Sequence, residues 1–248
     1  MKREFREDEP ELMDLPQSAG PELLADLLTL EQLNRWLGSH RIIRRFLKCW
    51  LLPDRRYRIL DLATGYADIP RLITALAKSR GASVEIDAVD AHPSTLELAR
   101  KASEAFENIR FIQADARTYE NANTYDIVLC SLALHHFSDG DAIRVLAQMR
   151  ALSHDSVLCV DLERTRAAAL GIELLTRSVI RTPMNIHDAK VSIRRAFSFG
   201  EMKELARAAG WEDIHHRRFI PARQAVWMHV RDAAPVPEIA DAALDFAT

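Results

Sequence analysis

Three aspartates stand at or next to the ends of apolar runs, where a carboxylate can meet a ligand. Asp61 lies in RILDLA (58–63), just ahead of the turn Ala63-Thr64-Gly65-Tyr66-Ala67-Asp68. Asp90 closes VEIDAVD (84–90), 25 residues beyond Gly65, and Asp115 closes IRFIQAD (109–115). The two oxygens of Asp90 suit the vicinal hydroxyls of a ribose. Asp115 and the Ala116 amide offer an acceptor and a donor to an adenine edge. Gly65 allows the positive φ that a tight first turn needs. Singly, Asp61 also reads as a cap or salt-bridge acid and Asp115 as a turn former. Together, at successive strand ends, they outline an adenosine-shaped slot.

The charges around that slot exclude phosphates. Residues 63–68 read A-T-G-Y-A-D, so the dinucleotide fingerprint G-x-G-x-x-G is absent, as is a P-loop. Asp68 falls where the next helix starts and repels a pyrophosphate from its N-terminus. An adenosine ligand with a cationic end fits better. Farther on, His135 and His136 follow the run YDIVLCSLAL (125–134). Imidazole is the side chain whose ordinary pKa suits neutral-pH base work, so this pair is the candidate for proton transfer, against a structural role at a strand end. Asp161 and Glu163, ending SVLCVDLE (156–163), are further candidates against solvated acids. His187 and Asp188 read as surface polar residues, and His215-His216 as exposed. Arg194 and Arg195 suit an acidic substituent or a solvated pair.

Five short apolar runs alternating with amphipathic helices must position these groups. The alternation predicts βαβ units and a parallel sheet covered on both faces. Residues 1–20 are charged and punctuated by Pro10, Pro16 and Gly20, which predicts a mobile arm. Residues 21–52 predict a helical cap whose stripe includes Ile43, Phe46, Leu47 and Trp50. Its Arg41, Arg44, Arg45 and Lys48 face reads as solvated rather than membrane-bound. The main domain spans 53–230, with an inserted lid over 164–197 and a tail over 231–248. Within it, Ser198 and Glu201 form a capping-box pattern, and DIHHRRFI and ARQAVWMHV read as two final strands.

Across 248 residues, 33 Lys+Arg balance 36 Asp+Glu, which argues against a dedicated nucleic-acid binder. Cys49, Cys130 and Cys159 include no C-x-x-C pair, so no zinc or redox site is expected. The charged opening MKREFREDEPE and the lack of a long apolar run predict a cytoplasmic protein without a membrane span.

ILDLATGYADIP resembles the first motif of class I S-adenosylmethionine-dependent methyltransferases, usually D/E-x-G-x-G-x-G. VDAHPSTLELAR, FIQADA and YDIVLCSLALHHF resemble the second, third and fourth motifs, in order. Ala63 and Ala67 depart from the usual glycines. Alanine at the first position is similar to quinone-biosynthesis enzymes, and HDAKVSIRRAFSFGEMKELARAAGW to enzymes of polyketide and quinone-like pathways.

The resemblance implies a doubly wound, mostly parallel seven-stranded α/β sheet of the Rossmann-like methyltransferase type. It implies S-adenosylmethionine as cofactor, with Asp61, Ala63, Thr64 and Gly65 at its methionine end. Asp90 would hold the ribose diol, Asp115 and Ala116 would contact the adenine with Ala91 or His92 packing nearby, and Ser131 and Leu132 would line the site beside the sulfonium. The activity implied is methylation of oxygen or carbon in a small, apolar or aromatic acceptor, by a monomer or homodimer. An RNA or protein methyltransferase and a non-catalytic cofactor binder of the same fold are the alternatives. The histidines show no H-x-x-x-H spacing with a third ligand, so no metal is expected.

Overall fold

The computed structural model describes residues 1–178 and 182–230. Two helices lead: α1 (Pro21–Trp36) and α2 (Ser39–Trp50), divided at Gly38, whose φ of 91° only glycine adopts at little cost. Then strands and helices alternate as β1 (Arg56–Leu62), α3 (Asp68–Arg80), β2 (Ser83–Asp90), α4 (Pro93–Ala102) and β3 (Ile109–Gln113). They continue as β4 (Tyr125–Ser131), α5 (Asp139–Leu152) and β5 (Ser153–Leu162). After β5 come α6 (Arg166–Ser178), α7 (Pro183–Arg195), α8 (Phe199–Ala208), β6 (His215–Phe219) and β7 (Arg223–His229).

The seven strands form one sheet in the order β3-β2-β1-β4-β5-β7-β6. The first five run parallel, and β7 pairs antiparallel with both β5 and β6. This is the expected doubly wound fold. Strand order reverses between β1 and β4, so the crevice that binds ligands in such sheets opens at their carboxyl ends. Near-continuous apolar runs in β1, β4 and β5 follow from burial on both faces.

Side chains of α2 and α3, among them Ile43, Phe46, Ile73 and Leu76, pack on one face of the sheet. Val145, Leu146 and Met149 of α5 and Met202 and Ala206 of α8 pack on the other. The basic face of α2 leaves Arg41, Arg44 and Lys48 exposed, as a core-packed helix requires. The capping box of α8 forms as written: the Glu201 N–H donates to Ser198 Oγ, and Glu201 Oε2 accepts from the Ser198 N–H at 2.7 Å.

Two expectations fail. Residues 1–20 are docked, not loose. The Glu4 N–H donates to the Arg194 carbonyl at 3.1 Å, and Arg3 reaches the Phe137 carbonyl at 2.7 Å and Asp139 at 2.6 Å. Arg195 donates to the carbonyls of Arg6 and Glu9 at 2.8 and 2.9 Å, and Arg194 pairs with Glu9. The two arginines expected to serve a substrate or solvent instead hold the arm, whose charges are matched by those of α7. The lid region is helical on both sides of residues 179–181, and the tail 231–248 lies outside the described residues. Among the described residues no helix is long and apolar enough to cross a membrane.

Candidate active site

A cavity of about 550 Å³ opens at the carboxyl ends of β1, β2 and β4. Its sheet-side wall is built by the first turn. Ala63, Gly65 and Ala67 have φ of 54°, 55° and 57°, so three left-handed residues fold the chain back within five positions. Alanine there carries a strain that glycine would not. The turn is stitched to β2: the Thr64 N–H donates to the Val89 carbonyl at 2.9 Å, and the Gly65 N–H to Asp90 Oδ2 at 2.8 Å.

Asp90 is buried, and its Oδ1 accepts from the His92 N–H at 2.9 Å. The His92 ring lies 3.1 Å from the same oxygen, and that contact raises the imidazole pKa. Asp90 and Ala91 both face the cavity.

Asp115 and Ala116 also line it, but the Asp115 carboxylate is engaged by Arg117 at 3.0 and 2.5 Å. That partner holds its pKa below the ordinary carboxylate value, and burial opposes the effect. Ser131 and Leu132 close the wall, and Ser131 Oγ is buried with no hydrogen-bond partner.

Asp61 is the exception among the expected contacts. It does not line the cavity but lies beneath the turn, where the Thr64 hydroxyl donates to its Oδ2 at 2.6 Å. Full burial, with Asp68 and Asp90 adding repulsion, raises its pKa to about 7 against a favourable Thr64 bond. Asp68 in turn accepts from Asn34 at 3.3 Å and lies 2.6 Å from His40 Nε2, so the helical cap is tied into the first turn. No local pattern in residues 34–40 or 61–68 announces that link.

The opposite wall is where the structure adds most. His135 and His136 sit in a short 3₁₀ turn after β4, with ring centroids 4.5 Å apart, and both line the cavity. His135 is buried; its Nδ1 lies 2.6 Å from Asp161 Oδ1, while Asp161 Oδ2 accepts the His135 backbone N–H at 2.8 Å. His136 Nδ1 lies 2.9 Å from Asp14 Oδ2. Burial acts to lower the His136 pKa, but Glu11, Asp14 and Asp161 together carry it up to about 10.

Both Nε2 atoms face Glu11, at 3.8 Å from Oε1 for His135 and 3.7 Å from Oε2 for His136. Glu11 and Asp14 come from the arm. They were missed because a charged N-terminal segment reads as solvated, and only the apolar pair Leu12-Met13 inside it hints at docking. Asp188, expected at the surface, is buried and accepts the N–H groups of Leu12 and Met13 at 2.7 and 3.1 Å, which fixes Glu11 in place. Burial first, then Glu11, raises the Asp188 pKa to about 6.

The histidines lack a metal-ligand spacing in the sequence, yet the fold brings one ligand atom each from Glu11, His135 and His136 within 4.8 Å of one another. Of the other candidates, Glu163 is buried and pairs with Arg218 at 2.8 Å. His216 is half-buried, stacked on Phe199 and lowered to about 4 by burial, whereas His215 is exposed.

Residues 59–156 match a family model described as "Methyltransferase domain". The ubiquinone/menaquinone biosynthesis C-methyltransferase UbiE of Rickettsia typhi is 22% identical over 215 residues, covering 79% of this chain and 82% of that protein. Among solved structures, the plantazolicin methyltransferase BpumL in complex with a monoazolic desmethylPZN analog and SAH superposes with a TM-score of 0.61. The match is at 16% identity and covers 84% of this chain and 90% of that one. Human N-acetylserotonin methyltransferase in complex with SAM gives 0.60 at 16% identity, covering 85% of this chain and 56% of that one. These structural likenesses carry the fold.

The matched domain over residues 59–156 and the relative UbiE indicate an S-adenosylmethionine-dependent methyltransferase. This chain carries its methyltransferase domain over residues 59–156, with the helical cap and arm before it and α6–α7 inserted after β5. The residues present fit the cofactor. Asp90 offers acceptors for a diol, and the unpartnered Ser131 Oγ is a buried polar group that a ligand would satisfy.

Proposed function

We propose that the protein methylates oxygen or carbon in a small, largely apolar or aromatic acceptor. The observation that carries this reading is the largely apolar lining of the cavity. Leu27, Leu33 and Leu37 from the cap region and Ile172 and Leu175 from α6 line it together with the strand-end carboxylates. A volume of about 550 Å³ falls within the roughly 300–1,000 Å³ typical of small-molecule sites.

When bound, S-adenosylmethionine supplies an electrophilic methyl group on a sulfonium. Asp90 accepts from the ribose hydroxyls with the lone pairs left free by Gly65 and His92, beside Ala91. Ala63, Thr64 and Gly65 bring backbone close to the methionine end. Asp61 lies beneath this turn without lining the cavity, and a bound cationic end would favour its ionised form. Ala116 packs on the adenine and Asp115, held by Arg117, presents its edge. Ser131 and Leu132 border the methyl group.

Asp161 fixes Nδ1 of His135, which leaves Nε2, on the cavity wall beside Glu11, as the nitrogen that would take a proton from the acceptor. His136 completes the same wall. Positioning is the main contribution, worth roughly 7–11 kcal/mol in well-oriented reactions.

The test is calorimetric titration with S-adenosylhomocysteine and with NADH, on the native protein and Asp90→Ala. Two hydrogen bonds to a carboxylate are worth about 1.5–3 kcal/mol each, so the substitution should weaken binding roughly 100-fold or more. Unchanged affinity, or preference for NADH, overturns the cofactor assignment. Release of S-adenosylhomocysteine with RNA or protein, and with none of a phenol and quinol panel, overturns the small acceptor.

A further inference from the structure

The arm brings a third ligand to the histidine pair, and the arrangement goes beyond what methyl transfer requires. His135 and His136 each have Nδ1 held by a carboxylate, Asp161 at 2.6 Å and Asp14 at 2.9 Å. That fixes which ring nitrogen faces the cavity, and in both rings it is Nε2. Metal-bound histidines show this same pattern, one nitrogen on the ion and the other on a carboxylate.

The two free nitrogens converge on Glu11, at 3.8 and 3.7 Å. Those separations are too long for hydrogen bonds. Two ligands of one tetrahedral cation, with bonds of about 2.0–2.2 Å, stand roughly 3.3–3.6 Å apart. The two Glu11–histidine separations need to shorten by a few tenths of an ångström, and all three ligand atoms already lie within 4.8 Å of one another.

The second observation is Glu11 itself. It is 1% exposed, and Ser192 Oγ donates to its Oε2 at 2.8 Å, yet Oε1 is buried without any hydrogen-bond partner. A buried carboxylate oxygen in that state is costly unless something positive completes it. No lysine or arginine ion pair reaches it among the described residues, and the groups it faces are the two imidazoles, so the positive charge comes either from a proton on a ring or from a cation that replaces it.

We propose that Glu11, His135 and His136 bind a divalent transition-metal ion, Zn²⁺, Co²⁺, Fe²⁺ or Mn²⁺, at the acceptor end of the cavity. Two imidazoles and one carboxylate match the ligand preference of these ions and leave coordination positions open toward the acceptor. Asp14 and Asp161 are the outer partners that orient the rings and offset the ionic charge. Asp188, through the Leu12 and Met13 amides, positions Glu11. None of these residues is assigned to the cofactor. The ion and an acceptor proton compete for the lone pair of His135 Nε2, so a loaded site would hold an acceptor oxygen through the metal.

The experiment is titration of chelator-treated full-length protein with Co²⁺ and Zn²⁺, followed by calorimetry, cobalt visible absorption and thermal unfolding. Saturable binding of one ion per chain is expected, with a cobalt spectrum of low coordination number and a raised melting temperature. Glu11→Gln and His136→Ala should each weaken binding at least 100-fold. Asp14→Asn, which leaves all three ligands in place, should weaken it about 10–100-fold. Asp90→Ala should bind the ion normally while losing S-adenosylhomocysteine, so failure of the cofactor reading is separable from failure of this one. Absence of saturable binding overturns the proposal. Binding unchanged in folded Glu11→Gln and His136→Ala also overturns it.

Discussion

Asp61→Asn should make the ligand-free protein more stable, and by an amount that grows with pH. The Asp61 carboxyl lies 2% exposed beneath the first turn, and burial raises its pKa from 3.8 to about 7. A carboxyl with a raised folded pKa favours folding while protonated, and that advantage is lost as pH climbs from the unfolded value through the folded one. At about 1.4 kcal/mol per pH unit, the gap from 3.8 to about 7 amounts to about 4 kcal/mol. At pH 5 the unfolded carboxyl is ionised and the folded one is not, a penalty of roughly 2 kcal/mol. At pH 8 both are ionised and nearly the full penalty of about 4 kcal/mol applies. Asparagine keeps the shape and can accept the Thr64 hydroxyl, but it does not titrate. The stability gained over the native protein should therefore widen by about 2–3 kcal/mol between pH 5 and pH 8, or roughly 5–10 °C in Tm. Paired thermal melts at the two pH values read this directly. A gap that stays constant within about 0.5 kcal/mol, where the linkage demands several times that, refutes the argument that Asp61 is a strained, desolvated acid.

Three further outcomes follow from the geometry. Gly65 has φ +55° with nothing within 4 Å of where a Cβ would stand, so Gly65→Ala should cost only the backbone strain. We expect about 1 kcal/mol by urea unfolding, and a loss above about 3 kcal/mol would mean an unseen clash. Arg195→Ala removes the donor to the carbonyls of Arg6 and Glu9, at about 1.5–3 kcal/mol per charged hydrogen bond. Amide hydrogen exchange across residues 4–14 should speed up roughly 100-fold, and unchanged protection would show that other contacts hold the arm. Ser198→Ala breaks the capping box and should lower stability by about 0.5–2 kcal/mol in denaturant titration, with no change in cofactor affinity.

Much of this molecule was legible in the chain because its main elements obey local rules. Each of the five parallel strands arose as a short apolar run, and the cap of α8 follows from Ser198 and Glu201 alone. Asp90, Asp115, Ser131 and the histidine pair line the cavity as the sequence reading places them, because strand ends in a doubly wound sheet are where such crevices open. Asp61 was misjudged by one layer: its place in the strand is right, but strand pleat sends its side chain under the turn, not into the cavity. The arm failed for a different reason. Its charges imply solvation when read alone, and their partners Arg194, Arg195 and Asp188 lie more than 170 residues away. Local pattern carries no information about such pairings, so the Glu11–His135–His136 cluster and the Asp161 brace appear only in three dimensions.

The two halves of the cavity rest on different supports. Sheet strands whose hydrogen bonds cannot shift without disturbing the core carry the adenosyl side. A peripheral strap, fastened by side chains of α7, supplies much of the other. Exchanging Phe5 or Met13, arm side chains that line the cavity, is therefore expected to change which molecule is accepted, whereas Asp14 also touches His92 beside Asp90 and is best left in place. For engineering, the cheapest handle on selectivity is the stretch that the sequence made look most dispensable.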